Sequence, residues 1–145
     1  MTRSEKAVSV FSEGFSCSQA TLSAFASEFG LGDELALKVS CAFGGGVSHL
    51  GILCGAISGA LMVIGLKYGR TKKEDEEAKI ETYRLANEFV KKFRERNSCI
   101  NCNELLDCDI STPEGIKIAK EKRGNPNFCP KFVQDAVEIL EEMIS

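Results

Sequence analysis

The chain has 145 residues, 43% of them hydrophobic and 27% charged, with a formal charge of −3, 13 Gly, 3 Pro, no Trp and 7 Cys. That size suits one globular domain over residues 1–145, which needs neither a disulfide nor a structural metal merely to fold, so the cysteines call for another reason. Charge is unevenly placed, five basic and five acidic side chains in residues 1–70 against thirteen and sixteen in 71–145, and without a face-sized block of Lys or Arg a nucleic-acid partner is not indicated.

Apolar residues follow helical spacing along the chain, with no sustained alternation and no Asn-Gly or Asp-Gly hairpin signal. The fold class read from this is all-α: a compact helical bundle around a glycine-rich central helix, with an irregular cysteine-bearing segment before the C-terminal helix. A first helix covers Ser4 to Ser12 and ends by Gly14. A second opens at Ser16, which has the capping-box spacing with Gln19, and runs to Phe29 with Gly30 as its stop. Asp33 caps a third helix through Leu35, Val39 and Ala42, which ends at the turn Gly44-Gly45-Gly46.

The central segment Leu50 to Leu66 carries no charge over 17 residues. Its Gly51, Gly55 and Gly59 form a small-residue row like that of packed transmembrane helices. The length is at the lower edge of a span, and amphipathic helices surround it in sequence, so a buried central helix is the expectation and a membrane span is not. Thr71 and Glu74 form a second capping box opening a long helix, with Ala86, Phe89, Val90 and Phe93 as its stripe, that ends near Asn97. Residues Ser98 to Asn127 hold two prolines and room for two short helices. The last helix has Pro130 at its first position and an apolar stripe of Val133, Ala136, Val137, Leu140 and Ile144.

Met1-Thr2-Arg3-Ser4-Glu5-Lys6 has neither a long apolar core nor a twin-arginine pair, so no secretory signal is read and the expected compartment is cytoplasmic. In a reducing compartment seven cysteines point to metal ligands or redox thiols rather than to a disulfide framework. Three of them, Cys17, Cys102 and Cys129, fall in first turns of expected helices. There the free N–H groups and the positive end of the helix dipole favour the thiolate, so each should have an acid-shifted pKa if exposed. Cys54 lies among the glycines, where Gly55 and Gly59 let another backbone or a bound cofactor approach closely.

Taken together, Cys17 in Cys-Ser-Gln-Ala, Phe43-Gly-Gly-Gly46, Cys54-Gly-Ala-Ile-Ser-Gly59 leading to Gly65-Leu-Lys-Tyr-Gly69, Cys102 in Cys-Asn-Glu-Leu-Leu, and Cys129 before Lys131-Phe132 resemble the redox-active protein family named for a lone cysteine, a CGAxxG box and two later cysteines. The resemblance covers most of the chain. It implies a small helical protein whose four matched cysteines, Cys17, Cys54, Cys102 and Cys129, are redox-active or hold a metal centre. Some relatives look like electron carriers fused to c-type haem segments. Here the one Cys-x-x-Cys, Cys99 to Cys102, is followed by Asn103 rather than His, so no c-type haem is expected.

Three cysteines lie outside the matched positions. Cys41, among apolar neighbours, reads as an inert core thiol. Cys99 and Cys108 join Cys102 and Cys129 in an alternative four-thiolate set for zinc or an iron–sulfur cluster, although the spacing is not a standard one. His49, the only histidine, is a solvated loop residue or else a ligand or proton donor near Cys54. The Glu and Lys residues from Lys72 to Arg96 read as a solvated helix face. No catalytic triad order, Walker loop or dinucleotide fingerprint is present, so no nucleotide is expected.

The leading expectation is that Cys17, Cys54, Cys102 and Cys129 converge on one site for thiol/disulfide or cluster-based electron transfer with an unidentified redox partner protein or a small thiol or disulfide. In the dithiol version Cys129 or Cys17 attacks a disulfide and a neighbour such as Cys54 resolves it. The alternative is a non-catalytic iron–sulfur or zinc binding module on the same cysteines or on the Cys99 set. A third reading makes the glycine row a homodimer interface with incidental thiols.

Overall fold

A computed structural model describes residues 1–144. It is all-α, and among the described residues there is no named strand. In chain order come α1 (Arg3–Ser12), α2 (Cys17–Ser23), a 3-10 turn (Ala26–Phe29), α3 (Asp33–Ser40), a second 3-10 turn (Cys41–Phe43), a helical turn (Gly44–Val47), α4 (Gly55–Tyr68), α5 (Glu76–Asn97), α6 (Cys102–Leu106), α7 (Pro113–Arg123) and α8 (Cys129–Ile144). Among the described residues no helix is long and apolar enough to cross a membrane.

The centre of the bundle is α4. Ala56, Ile57, Ala60, Val63 and Ile64 are fully buried on it, and it packs against α2, α5 and α8. From α5 come Phe89 and Phe93, whose rings stack with centroids 6.2 Å apart. The whole stripe of α8 is buried, Val133, Ala136, Val137, Leu140 and Ile144. Each fully buried side chain of this size contributes roughly 1.5–3 kcal/mol relative to exposure. At the other end of α5, Arg96 bonds Asp135 at 3.1 Å and Glu138 at 2.8 Å, and Lys131 reaches Asp135 at 2.6 Å and Asn97 at 2.7 Å. These contacts fix how α8, and with it Cys129, lies against α5.

Several boundaries differ from the sequence expectation. The second helix stops at Ser23 and continues only as the 3-10 turn to Phe29. The N-cap of α3 is Gly32, with Asp33 already helical. Its Leu35 and Val39 are 60% and 56% exposed, while Ala36 and Ser40 face the core: periodicity finds a stripe but does not say whether an element covers it. In α5, Asp75 is the cap, accepting from the Ala78 N–H at 3.1 Å, and Thr71 to Glu74 form a loop before it. The buried stripe there is Leu85, Phe89 and Phe93, with Ala86 and Val90 half-buried. Pro130 is the second residue of α8, after Cys129.

The largest difference is at the centre. α4 begins at Gly55, so Cys54 is its N-cap rather than an interior residue. Leu50 and Ile52 are more than half exposed. The chain before Cys54 lies against the chain before Cys102 in an isolated antiparallel bridge between Leu53 and Asn101. Cys54 N–H donates to Ile100 O at 2.9 Å, Cys102 N–H to Ile52 O at 2.6 Å and Asn103 N–H to Gly51 O at 3.2 Å.

Candidate functional site

Four helices begin at one place. Ser16 caps α2 by accepting from the Gln19 N–H at 3.3 Å, Gln19 Oε1 accepts in return from the Ser16 N–H at 3.0 Å, and Cys17 is the first helical residue. Asn101 caps α6 through the Asn103 and Glu104 N–H groups, with Cys102 first in the helix. Because the bridge pairs the segment before Cys54 with the segment before Cys102, the starts of α4 and α6 are side by side. Cys129 opens α8 from the neighbouring wall.

Glycines allow the elements to come this close. A Cβ on Gly59 would stand 2.7 Å from Ser18 O of α2 and one on Gly55 3.0 Å from Ser18 N, so these two glycines of the row are used in packing between α2 and α4, while Gly51 lies outside the helix against Asn103. A Cβ on Gly46 would stand 2.6 Å from Cys102 Cβ, and Gly46 holds a φ of +63° that favours glycine. The residues after it, Val47, Ser48 and His49, also have positive φ. For the β-branched Val47 this is a strained conformation. The chain from Gly44 to Leu50 is thereby folded back over the cysteines, held by Gly51 N–H to Gly45 O at 3.2 Å and Ile52 N–H to Gly46 O at 2.8 Å.

Between these elements is a cavity of about 580 Å³, lined by Cys17, Cys54, Cys102 and Cys129 together. Gly55 is also in its wall, as are Cys41, His49, Lys120 and Arg123. Cys41 is exposed at this site, which corrects the expectation of an inert core thiol: α3 turns its Ala36 and Ser40 side inward and leaves Cys41 outside. Cys99 is not brought to the cavity. It lines a separate pocket with Arg96, Glu104 and Lys131. Cys108, half-buried, points its thiol at Gly115 O at 3.6 Å. The Cys99, Cys102, Cys108 and Cys129 set is therefore spread over two sides of the segment. Among the described residues no group of three or more His, Cys, Asp or Glu side chains is placed to hold one metal ion.

The four cavity thiols differ sharply in acidity. Cys129 is held below its ordinary value by the Cys17 thiol that hydrogen-bonds to it and by the positive charge of Arg123, against the opposing effect of burial. Cys17 is pushed well above its ordinary value, by that same hydrogen bond and then by burial. Cys54 and Cys102 are each raised from 9.0 to about 12, mainly by burial, and each lies near enough to Cys129 to be raised further by its charge. The expectation of acid-shifted thiols at helix starts thus meets stronger effects at two of them: the hydrogen bond with Cys129 and then burial at Cys17, and desolvation of the thiolate at Cys102, exceed the pull of the helix N-terminus. The environment shifts Cys129 toward the thiolate and Cys17 away from it.

Sequence reasoning did not single out Arg123. Its guanidinium lies 3.8 Å from the centre of the Phe11 ring and donates to Phe11 O at 2.9 Å and to Phe15 O. Nothing in its sequence neighbourhood marks it, because both the ring and the carbonyls come from α1 and the loop after it. A signal for the late start of α4 was available in the sequence: Gly51 is a poor interior helix residue.

No curated protein and no solved structure matches the chain. A family model described as "putative redox-active protein (C_GCAxxG_C_C)" matches residues 15–143, a stretch that holds all four cavity cysteines. The chain belongs to that family.

Proposed function

We propose that the protein is a thiol–disulfide redox protein whose working pair is Cys129 and Cys17. The observation that carries this reading is the placement of Cys17, Cys129 and Arg123 around one cavity, in which Cys129 is the cysteine shifted toward the thiolate. A thiolate is the nucleophile in disulfide exchange. Cys129 attacks one sulfur of a substrate disulfide, forming a mixed disulfide and releasing the other half as a thiolate. That thiolate takes the Cys17 proton. Cys17 then attacks the Cys129 sulfur, the Cys17–Cys129 disulfide forms, and the second half leaves as a thiolate. The substrate is reduced by two electrons and the pair oxidised by two. A dithiol reductant returns the pair to the reduced state. In this scheme Cys17 rather than Cys54 resolves the intermediate, because Cys17 is the thiol that most strongly shifts Cys129 toward the thiolate. Cys54 and Cys102, held protonated by burial, form the wall.

The test is turnover of a disulfide with excess dithiothreitol, followed by mass spectrometry of trapped species. Cys129→Ser should abolish turnover above the thiol background, and Cys17→Ser should accumulate a mixed disulfide on Cys129. If each single variant keeps full turnover, the reading is wrong. Near-stoichiometric iron with acid-labile sulfide, or zinc, in protein purified without oxygen would also overturn it and make the cysteines ligands.

A further inference from the structure

Resting on the dithiol reading, we infer that the cavity selects a small disulfide bearing carboxylates as its substrate. The chain has 21 acidic side chains and a net charge of −3, yet among the described residues no Asp or Glu lines the cavity. Its charged wall residues are Lys120 and Arg123. The Arg123 charge is not cancelled by a carboxylate, because its contacts are two carbonyl oxygens and an aromatic face. Lys120 is exposed at the rim. The starts of α4 and α8, at Cys54 and Cys129, add the positive ends of two full-length helices to the same wall.

Two cations and no carboxylate make this wall positive, so an anionic substrate is drawn in while a cationic one is repelled. The volume of about 580 Å³ is that of a small-molecule site. The apolar part of the wall, Leu105, Leu106, Ile116 and Phe132, suits the alkyl arms beside the sulfurs. The same cations favour departure of the leaving thiolate, which carries its own charge into the cavity after the first exchange.

The experiment compares three disulfides with the same two-carbon arms: dithiodipropionate, a dianion; hydroxyethyl disulfide, neutral; and cystamine, a dication. Single-turnover rates with pre-reduced protein are divided by the rate of dithiothreitol with the same disulfide, and the part lost in Cys129→Ser is assigned to Cys129. The normalised rate should fall from dianion to neutral to dication by about fivefold at each step at low salt, and the differences should shrink as salt is added. Lys120→Glu should cut the dianion-to-neutral ratio by roughly tenfold, and Lys73→Glu, remote from the cavity, should leave that ratio as it is. Equal normalised rates, a preference for the dication, reaction with protein disulfides alone, or a ratio indifferent to Lys120→Glu would each overturn the charge selection while leaving the dithiol chemistry standing. Absence of any reaction through Cys129 would overturn both.

Discussion

Cys17, Cys54, Cys102 and Cys129 all stand at helix starts, yet only one of them is shifted toward the thiolate. Burial disfavours the charged form of each. Cys129 escapes because a neighbouring thiol donates to it and a guanidinium faces it. Its reactivity therefore depends on Arg123, which lines the cavity and also favours the charged form of Cys129. In Arg123→Gln the pH midpoint for alkylation of Cys129 by iodoacetamide should move upward. At neutral pH the alkylation rate should fall roughly threefold to tenfold. Arg123→Lys, which keeps a positive charge but not the stacked, forked geometry over Phe11, should lie between the two. The profile is read by mass mapping of the Cys129 peptide against pH, with circular dichroism as the check on folding. An unchanged midpoint in Arg123→Gln would mean that the Cys17 hydrogen bond alone sets the acidity. In the sequence this arginine is one basic residue in a run with Lys117, Lys120 and Lys122, and only its contacts with Phe11 and Phe15 distinguish it.

Helices were legible from periodicity and caps, and their junctions were not. The Ser16 capping box, the Asn101 cap and the stripe of α8 depend on residues three or four apart, so they can be read from a short window. The start of α4 depends on residues 51–54 meeting residues 100–103, a pairing about fifty residues apart that no local period records. For the same reason the apolar run from Leu50 reads as continuous helix until the bridge claims its first residues. The glycine row was legible as a close approach but not as to what approaches, and the structure places α2 against Gly55 and Gly59 and Asn103 against Gly51. Gly59→Ala would set a Cβ against Ser18 O, a backbone atom that cannot rotate away. α2 and α4 must then separate, which should lower stability by about 1–3 kcal/mol in urea unfolding. Gly65 is on the same helix, and a Cβ there would meet nothing within 4 Å, so Gly65→Ala should instead raise stability by about 0.5–1 kcal/mol. Opposite signs for one substitution in one helix separate packing from helix propensity. Equal effects would show that α2 adjusts without loss.

At the scale of the whole molecule, the Cys17–Cys129 pair joins the second helix to the last. The all-α class and the four cysteines of the motif could be read along the chain, but their arrival at one cavity depends on α4 being enclosed by α2, α5 and α8. The reduced protein must hold α8 in place by packing alone, through its buried stripe and the contacts of Arg96 and Lys131 with Asp135. Oxidation of the pair would add a covalent link that closes a loop of more than a hundred residues in the unfolded chain. A link over a loop of that size stabilises a fold by roughly 4–5 kcal/mol in the chain-entropy account, reduced by any strain in the native geometry. The oxidised protein should accordingly unfold at higher urea than the reduced protein. The slope of its transition should also be shallower, because the linked unfolded chain exposes less surface. Cys17→Ser and Cys129→Ser should each abolish the difference between oxidising and reducing conditions, whereas Cys99→Ser, in the separate pocket, should preserve it. The same coupling runs in reverse: a fold that gains stability from the disulfide makes that disulfide harder to reduce than it is in the unfolded chain. Titration against glutathione mixtures in zero and in denaturing urea reads that second half. An oxidised protein no more stable than the reduced one, with a potential unchanged by unfolding, would mean that the helices carrying Cys17 and Cys129 must be strained to let the bond form.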